Sequence, residues 1–205
     1  VIASSLAGVN LLVARKILPG VPGVAAALDG GSLLEVGCGA GVLLLQLAKA
    51  FPQARVTGVD IDPTGLAQAR QAVATAGFDG RVSVVEGDVG TAVPAGAFDV
   101  VVMVEVLHEI APDIRPAVVR GCARALCAGG WLVIVDETYP ATLAEARMPE
   151  FRFPLQTGLE ELMWGNVVPT REEQERLLRD AGFGGAIDRS LIGEGFTLLT
   201  VRKPA

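Results

Sequence analysis

The chain has 205 residues, 51% hydrophobic and 20% charged, which is enough apolar content to bury one sizeable core and too much for a disordered segment. Its formal net charge of -6 at pH 7 opposes a phosphate backbone and no run of Lys or Arg offsets it locally, so nucleic acid is not an expected partner. Cys38, Cys122 and Cys127 are odd in number and lack metal-ligand spacing, so neither a disulfide framework nor a bound metal is expected; the thiols read as reduced, in a cytoplasmic protein.

In chain order, Val1 to Leu18 is apolar, but Arg15 and Lys16 follow the apolar run instead of preceding it, which opposes a signal peptide and predicts a packed helix. No stretch reaches the roughly 20 uninterrupted apolar residues that span a bilayer, so no membrane association is expected. The chain begins at Val rather than Met, and residues 1–29 are expected to be a helical segment ending a domain that lies upstream.

Ser32 to Val36 is a short apolar run that leads through a glycine-rich turn into helical composition at Val42 to Ala50, the order strand, tight turn, helix. A second strand is predicted over Arg55 to Val59. Asp62 then reads as an N-cap with Pro63 at the first helical position, and Leu66, Ala69 and Val73 share a face before Gly77. Val82 to Val85 is a third strand, and the continuous Val-rich run Phe98 to Val104 suits a fourth strand buried on both faces. Asp113 is expected to cap a helix with Ile114, Val118, Cys122 and Leu126 on one face, stopped by Gly129-Gly130 before a fifth strand over Trp131 to Val135.

Thr170-Arg171-Glu172-Glu173 has capping-box spacing and opens a helix closed by Gly182. Ala186 to Leu191 and Phe196 to Arg202, separated by Gly193-Glu194-Gly195, read as a closing hairpin. Alternating strands and helices followed by a hairpin predict an α/β, Rossmann-like doubly wound sheet of seven strands, mostly parallel, with an antiparallel C-terminal edge. Residues 30–205 form that domain, with an insertion at 138–168.

The ligand site of such a sheet lies outside the carboxyl ends of the strands where strand order reverses, which the loop Gly37-Cys38-Gly39-Ala40-Gly41 borders. Its glycines permit positive φ and close backbone approach, and its amides are expected to be available to an anionic group. A dinucleotide fingerprint requires a sixth-position glycine where this chain has Val42, and no Gly-Lys pair exists to complete a phosphate-binding loop. Glu35 would repel a pyrophosphate and attract a cationic amino acid. Asp60 ends the second strand, where a carboxylate can accept hydrogen bonds from both hydroxyls of a ribose.

Leu33-Leu34-Glu35-Val36-Gly37-Cys38-Gly39-Ala40-Gly41, then Val59-Asp60, then Glu86-Gly87-Asp88-Val89, resemble in order the motifs of class I S-adenosylmethionine (SAM)-dependent methyltransferases. The resemblance continues through Phe98-Asp99-Val100-Val101 and Gly129-Gly130-Trp131 to the terminal hairpin. It implies that Glu35, Gly37, Cys38, Gly39 and Gly41 surround the methionine part of SAM. Asp60 would bind the ribose, Ile61 pack on the adenine, and Gly87, Asp88 and Val89 meet the adenine edge, with Val104 and Glu105 also against the cofactor. Leu18-Pro19-Gly20-Val21-Pro22-Gly23 resembles the join that follows the N-terminal domain of bacterial two-domain methyltransferases.

His108, the one histidine, lies in Val106-Leu107-His108-Glu109-Ile110. This segment resembles the Leu-His-Asp-Trp motif of small-molecule O-methyltransferases, departing from it at Glu109 and Ile110. The resemblance implies that His108 is the general base for a hydroxyl; lining of the cofactor pocket is the alternative. Glu105, Asp136 and Glu137 are the candidate supporting carboxylates. The insertion holds Tyr139, Phe151, Phe153 and Trp164, four of the ten aromatics, and is expected to wall a small acceptor from water. Leu155, Leu159, Leu162 and Met163 have helical spacing and suit core packing or a homodimer interface equally.

The resulting expectation is methyl transfer from SAM to a small molecule, with a hydroxyl of an aromatic or secondary metabolite favoured as acceptor. Alternatives are a C- or N-methyltransferase on the same fold, a non-catalytic SAM-binding regulatory protein, and a nicotinamide-dependent dehydrogenase, the last opposed by Val42 and Glu35.

Overall fold

The computed structural model describes residues 7–193 and 195–205; the predicted helix over Val1 to Leu18 lies outside them up to residue 6, as does Glu194 of the hairpin turn. Among the described residues, seven strands form one sheet in the order β3-β2-β1-β4-β5-β7-β6. These are β1 (Ser32–Val36), β2 (Arg55–Asp60), β3 (Val82–Glu86), β4 (Phe98–Val104), β5 (Leu126–Asp136), β6 (Asp188–Ile192) and β7 (Phe196–Arg202). β1 to β5 pair in parallel, and β7 runs antiparallel to both β5 and β6. Strand order reverses between β1 and β4, so the loops leaving those two strands flank the crevice.

Helices cover both faces. The N-terminal segment is α1 (Ala7–Leu12), continuing as a π-helical Val13–Ile17 into the turn Leu18–Gly20, and α2 (Val24–Ala27) follows it. The crossovers carry α3 (Val42–Ala50), α4 (Pro63–Thr75), the short α5 (Val89–Ala92) and α6 (Arg115–Ala125). After β5 come two 3-10 turns, Glu145–Arg147 and Pro149–Phe151, then α7 (Arg152–Trp164) and α8 (Arg171–Asp180).

The continuous apolar run of β4 is used on both sides. Val100 and Val102 pack with Leu33, Leu44 and Val133 in one core, while Val101 and Met103 pack with Leu34, Val119 and Ile134 in the other. Val13, Leu18 and Val24 complete the first core, so the N-terminal helical segment is part of the folded body.

Local signals explain most boundaries. Asp62 caps α4 by accepting from the amides of Thr64 and Gly65, and Thr170 and Glu173 form the reciprocal capping box of α8. Two expectations are corrected. α6 begins after Ile114 with no side-chain cap, so Asp113 does not cap it. β5 starts at Leu126 and runs through Gly129-Gly130, which do not act as a helix stop; Gly129 N–H donates to Pro204 O, and Gly130 O accepts from the Lys203 amide at 2.8 Å. The C-terminal tail thus supplies ladder partners that the glycines by themselves do not reveal.

Candidate active site

β1 ends in Glu35-Val36, and the chain turns through Gly37, Gly39 and Gly41 at φ of 75°, 46° and 79° before α3 begins. At Gly37 a Cβ would stand 2.5 Å from Val106 Cγ2, so only glycine lets the loop pass the β4 exit. Four of the five amides of this loop are committed internally, fewer than expected being left for an anion. Gly37 and Cys38 donate to Val59 O, Gly39 to Asp60 Oδ2 at 2.7 Å, and Gly41 to Cys38 O.

Beside it lies a cleft of about 470 Å³. Of the residues expected at the cofactor, Glu35, Gly37, Cys38, Gly39, Asp60, Ile61, Gly87, Asp88, Val89, Val104 and Glu105 all line it. Gly41 does not; it caps α3, and a Cβ there would lie 3.0 Å from that of Ala69 on α4. Its glycine is a packing requirement between helices. Asn10 of α1, with Glu109, Ile110 and Ile114, also lines the cleft, and no spacing in the chain points to Asn10.

Glu35 is 4% exposed and its Oε2 has no hydrogen-bond partner. Burial, reinforced by the charge of Asp60, holds its carboxyl well above the usual carboxylate range. An unpartnered buried oxygen of this kind favours a cationic ligand. Asp60 accepts from the amides of Gly39 and Asp62 and retains lone pairs toward the cleft, and Ile61 is 76% exposed beside it. Asp88 is partly engaged, because its Oδ1 caps α5 by accepting from Gly90 N–H at 2.6 Å.

His108 does not line the cleft; it is buried at the end of the β4 exit loop. Its Nδ1 lies 2.7 Å from Asp136 Oδ1, and its Nε2 lies 3.6 Å from Glu161 Oε2 of α7. Asp136, at the end of β5, also accepts the amides of Leu107 (2.7 Å) and Glu137 (2.8 Å), so strand and loop are laced together through one carboxylate. Burial pushes the His108 pKa down, but the hydrogen bond and charge of Asp136, with the charges of Glu105 and Glu161, outweigh it and raise it to about 10. His108 is an imidazolium at neutral pH.

The surrounding carboxyls are raised too. Glu105 reaches about 9, first through burial and then the charge of Asp136, with His108 pulling the other way. Glu137 reaches about 7 by burial, moderated by His108 and by the Thr157 hydroxyl, which donates to it. Glu105, His108 and Asp136 bring potential ligand atoms within 4.8 Å of one another, but the His108–Asp136 contact already joins donor to acceptor.

Three contributors carry no motif. Glu161 reaches His108 from α7 and accepts from the Asn166 side chain at 2.8 Å. Arg115, 3% exposed, donates to the carbonyls of His108, Ile110 and Val167, tying the site loop to the chain beyond α7. Gln174 of α8 donates to Glu137 O at 3.0 Å. The insertion presents polar residues inward: Thr157 and Glu161 face Glu137 and His108, while Leu155, Leu159, Leu162 and Met163 are 45%, 70%, 60% and 77% exposed. Packing of that stripe into this chain's own core is thereby corrected, because the face of α7 turned inward is the one whose polar groups find partners.

Residues 33–130 match the family described as a methyltransferase domain. The aclacinomycin 10-hydroxylase RdmB of Streptomyces purpurascens is 33% identical over 77% of this chain and 41% of its own length. The ribosomal RNA small subunit methyltransferase C of Salmonella choleraesuis is 35% identical over 56% of this chain and 34% of its own. The chain thus spans less than half of the curated relatives it matches. Among solved structures, the mitomycin 7-O-methyltransferase MmcR superposes on 98% of this chain and 55% of its own with a TM-score of 0.76 at 23% identity, sharing the fold.

Proposed function

We propose that this chain, by family a class I SAM-dependent methyltransferase domain, binds SAM in the cleft above β1 and β4 and transfers its methyl group to a hydroxyl oxygen of a small molecule. The observation that carries the reading is the buried Glu35 carboxyl with an unpartnered oxygen, lining the cleft beside the glycine loop, which favours an ammonium there and disfavours a pyrophosphate. The fold and the hydroxylase and O-methyltransferase relatives support a small-molecule acceptor. The chain's acidity opposes an RNA acceptor despite the ribosomal RNA relative.

Bound in the cleft, SAM supplies an electrophilic methyl on a positively charged sulfur. Glu35 takes the ammonium, Asp60 the ribose hydroxyls, Ile61 the adenine face, and the Gly87-Asp88-Val89 turn its edge. His108 is held in one orientation by Asp136, so Nε2 is the atom that exchanges a proton with the acceptor hydroxyl. Because His108 is charged at rest, Nε2 must lose its proton before it can take one from the acceptor hydroxyl. Transfer of labelled methyl from SAM to a panel of phenols and alcohols, with His108→Ala and His108→Gln, tests this: both variants are expected to lose at least about a hundredfold in kcat. Near-unaltered kcat at saturating acceptor removes the base role.

A second reading is favoured by the burial and positive charge of His108: it shapes the pocket and an acidic phenol needs orientation alone. Methylation at nitrogen or carbon is distinguished by the product, and SAM binding without turnover on any acceptor marks a regulatory protein. We also propose that a second copy covers the apolar stripe of α7 in a homodimer, that residues 1–29 continue from an upstream domain, and that the chain works in the cytoplasm. No helix among the described residues is long and apolar enough to cross a membrane.

A further inference from the structure

A second carboxylate oxygen in the cleft lacks a partner. Glu105 Oε1, like Glu35 Oε2, is buried without a hydrogen bond, and Glu105 is 9% exposed. Both residues line the same cleft. Glu105 leaves β4 at φ 56°, and among the described residues it is the one non-glycine at positive φ. Its amide is fixed to Val135 O at 2.8 Å, which anchors the turn. An ionisable side chain held in a disfavoured backbone conformation, buried and unsatisfied, is the signature of a group kept for a ligand.

The ligand must bring positive charge. Glu105 is faced by His108 and Glu109 from its own loop and by Asp136 and Glu137 from the end of β5, with Glu161 of α7 on the far side of His108. One imidazolium stands among these carboxyls, and its Nδ1 is spent on Asp136. A metal ion would have to break that 2.7 Å hydrogen bond to gain its ligands, so an organic cation fits better.

We propose that Glu105 is the carboxylate that faces the sulfonium of the bound cofactor, as Glu35 faces the ammonium, and that this pairing lets the cleft distinguish SAM from S-adenosylhomocysteine. The inference rests on the reading of the cleft as a SAM site. Two unpartnered carboxylates in one cleft match the two cationic groups of SAM, whereas S-adenosylhomocysteine has an uncharged sulfur. In the free chain Glu105, raised to about 9, keeps its proton at pH 7.5. A cation beside a buried carboxyl makes it about ten- to a thousandfold easier to ionise, so the Glu105 proton leaves for solvent when SAM binds and stays when the homocysteine compound binds.

Titration calorimetry of the unaltered chain and Glu105→Gln at pH 7.5, in phosphate and in Tris, measures this. The probes are SAM, S-adenosylhomocysteine and sinefungin, which carries an amine in place of the methylated sulfur. SAM and sinefungin should release more protons than S-adenosylhomocysteine, which brings only the ammonium that Glu35 meets, and the excess is seen in how the enthalpies differ between the two buffers. Glu105→Gln should abolish that excess and lower the SAM preference over S-adenosylhomocysteine about tenfold or more. Equal release with SAM and S-adenosylhomocysteine, or an unchanged preference in Glu105→Gln, overturns the inference alone. Failure of all three to bind the unaltered chain overturns the cofactor reading with it. Should Glu105→Gln not fold, the contrast of sinefungin with S-adenosylhomocysteine on the unaltered chain decides.

Discussion

Asp136→Asn changes one oxygen to an amide at the centre of the site. Asp136 is fully buried; Oδ1 contacts His108 Nδ1 at 2.7 Å and accepts the Glu137 amide at 2.8 Å, and Oδ2 accepts the Leu107 amide at 2.7 Å. An asparagine has one acceptor oxygen, so its NH2 must face either the Leu107 N–H or the pair formed by His108 and Glu137. Leaving a buried donor unsatisfied costs about 1–3 kcal/mol, and removing the charge opposite a buried imidazolium brings the loss to about 3–5 kcal/mol.

The pH dependence gives a sharper readout than the loss itself. The folded pKa of His108, about 10, lies above its unfolded value, so the stabilisation is fully present below the unfolded value and is lost as pH rises through about 10. Between those limits the fold holds one proton that the unfolded chain does not, and stability falls by about 1.4 kcal/mol per pH unit. Glu105 and Glu137, whose folded values of about 9 and 7 also exceed their unfolded ones, act in the same direction. Urea unfolding at pH 7.5, 8.5 and 9.5 should show this decline in the unaltered chain and a clearly shallower one in both Asp136→Asn and His108→Gln. Identical slopes in all three would refute the claim that Asp136 holds a proton on His108.

Glu35→Gln should keep the fold, since the side chain is nearly isosteric and burial already disfavours its charged form, but should weaken SAM binding about ten- to a hundredfold by calorimetry, the worth of a hydrogen bond to a charged group. Gly41→Ala should lower stability by about 1 kcal/mol or more in urea unfolding, because φ is 79° and the new methyl meets Ala69, although Gly41 does not line the cleft. Joint Leu159→Ser and Met163→Ser, at residues 70% and 77% exposed, should leave the unfolding midpoint of the dilute chain within about 0.5 kcal/mol of the original while shifting sedimentation toward monomer.

The sheet was readable because its signals are local: five apolar runs, the first three each followed by a glycine or a capping Asp, and β4 apolar enough to serve two cores. The lining of the cleft was readable for the same reason, since Glu35, Asp60 and Asp88 each lie at the end of a strand or in the turn beyond one. The surroundings of His108 were less so. Asp136 stood out as a carboxylate at a strand end, but Glu161 sits in a helix whose apolar spacing suggests burial of the opposite face. A stripe at 155, 159, 162 and 163 says that one face is apolar without saying that the polar face is the one with buried partners. Arg115 is hidden likewise, because three carbonyl acceptors in two distant segments leave no trace in residue spacing. Gly129-Gly130 misled because glycine serves both a helix stop and a strand that meets a returning tail.

The central claim is that the glycine-loop cleft with Glu35 holds the cationic end of SAM. Equilibrium binding of SAM and of NADH to the unaltered chain tests it most directly. One saturable SAM site, lost or strongly weakened in Glu35→Gln, with no NADH binding, is the predicted result. Saturable NADH binding with none for SAM would contradict the account.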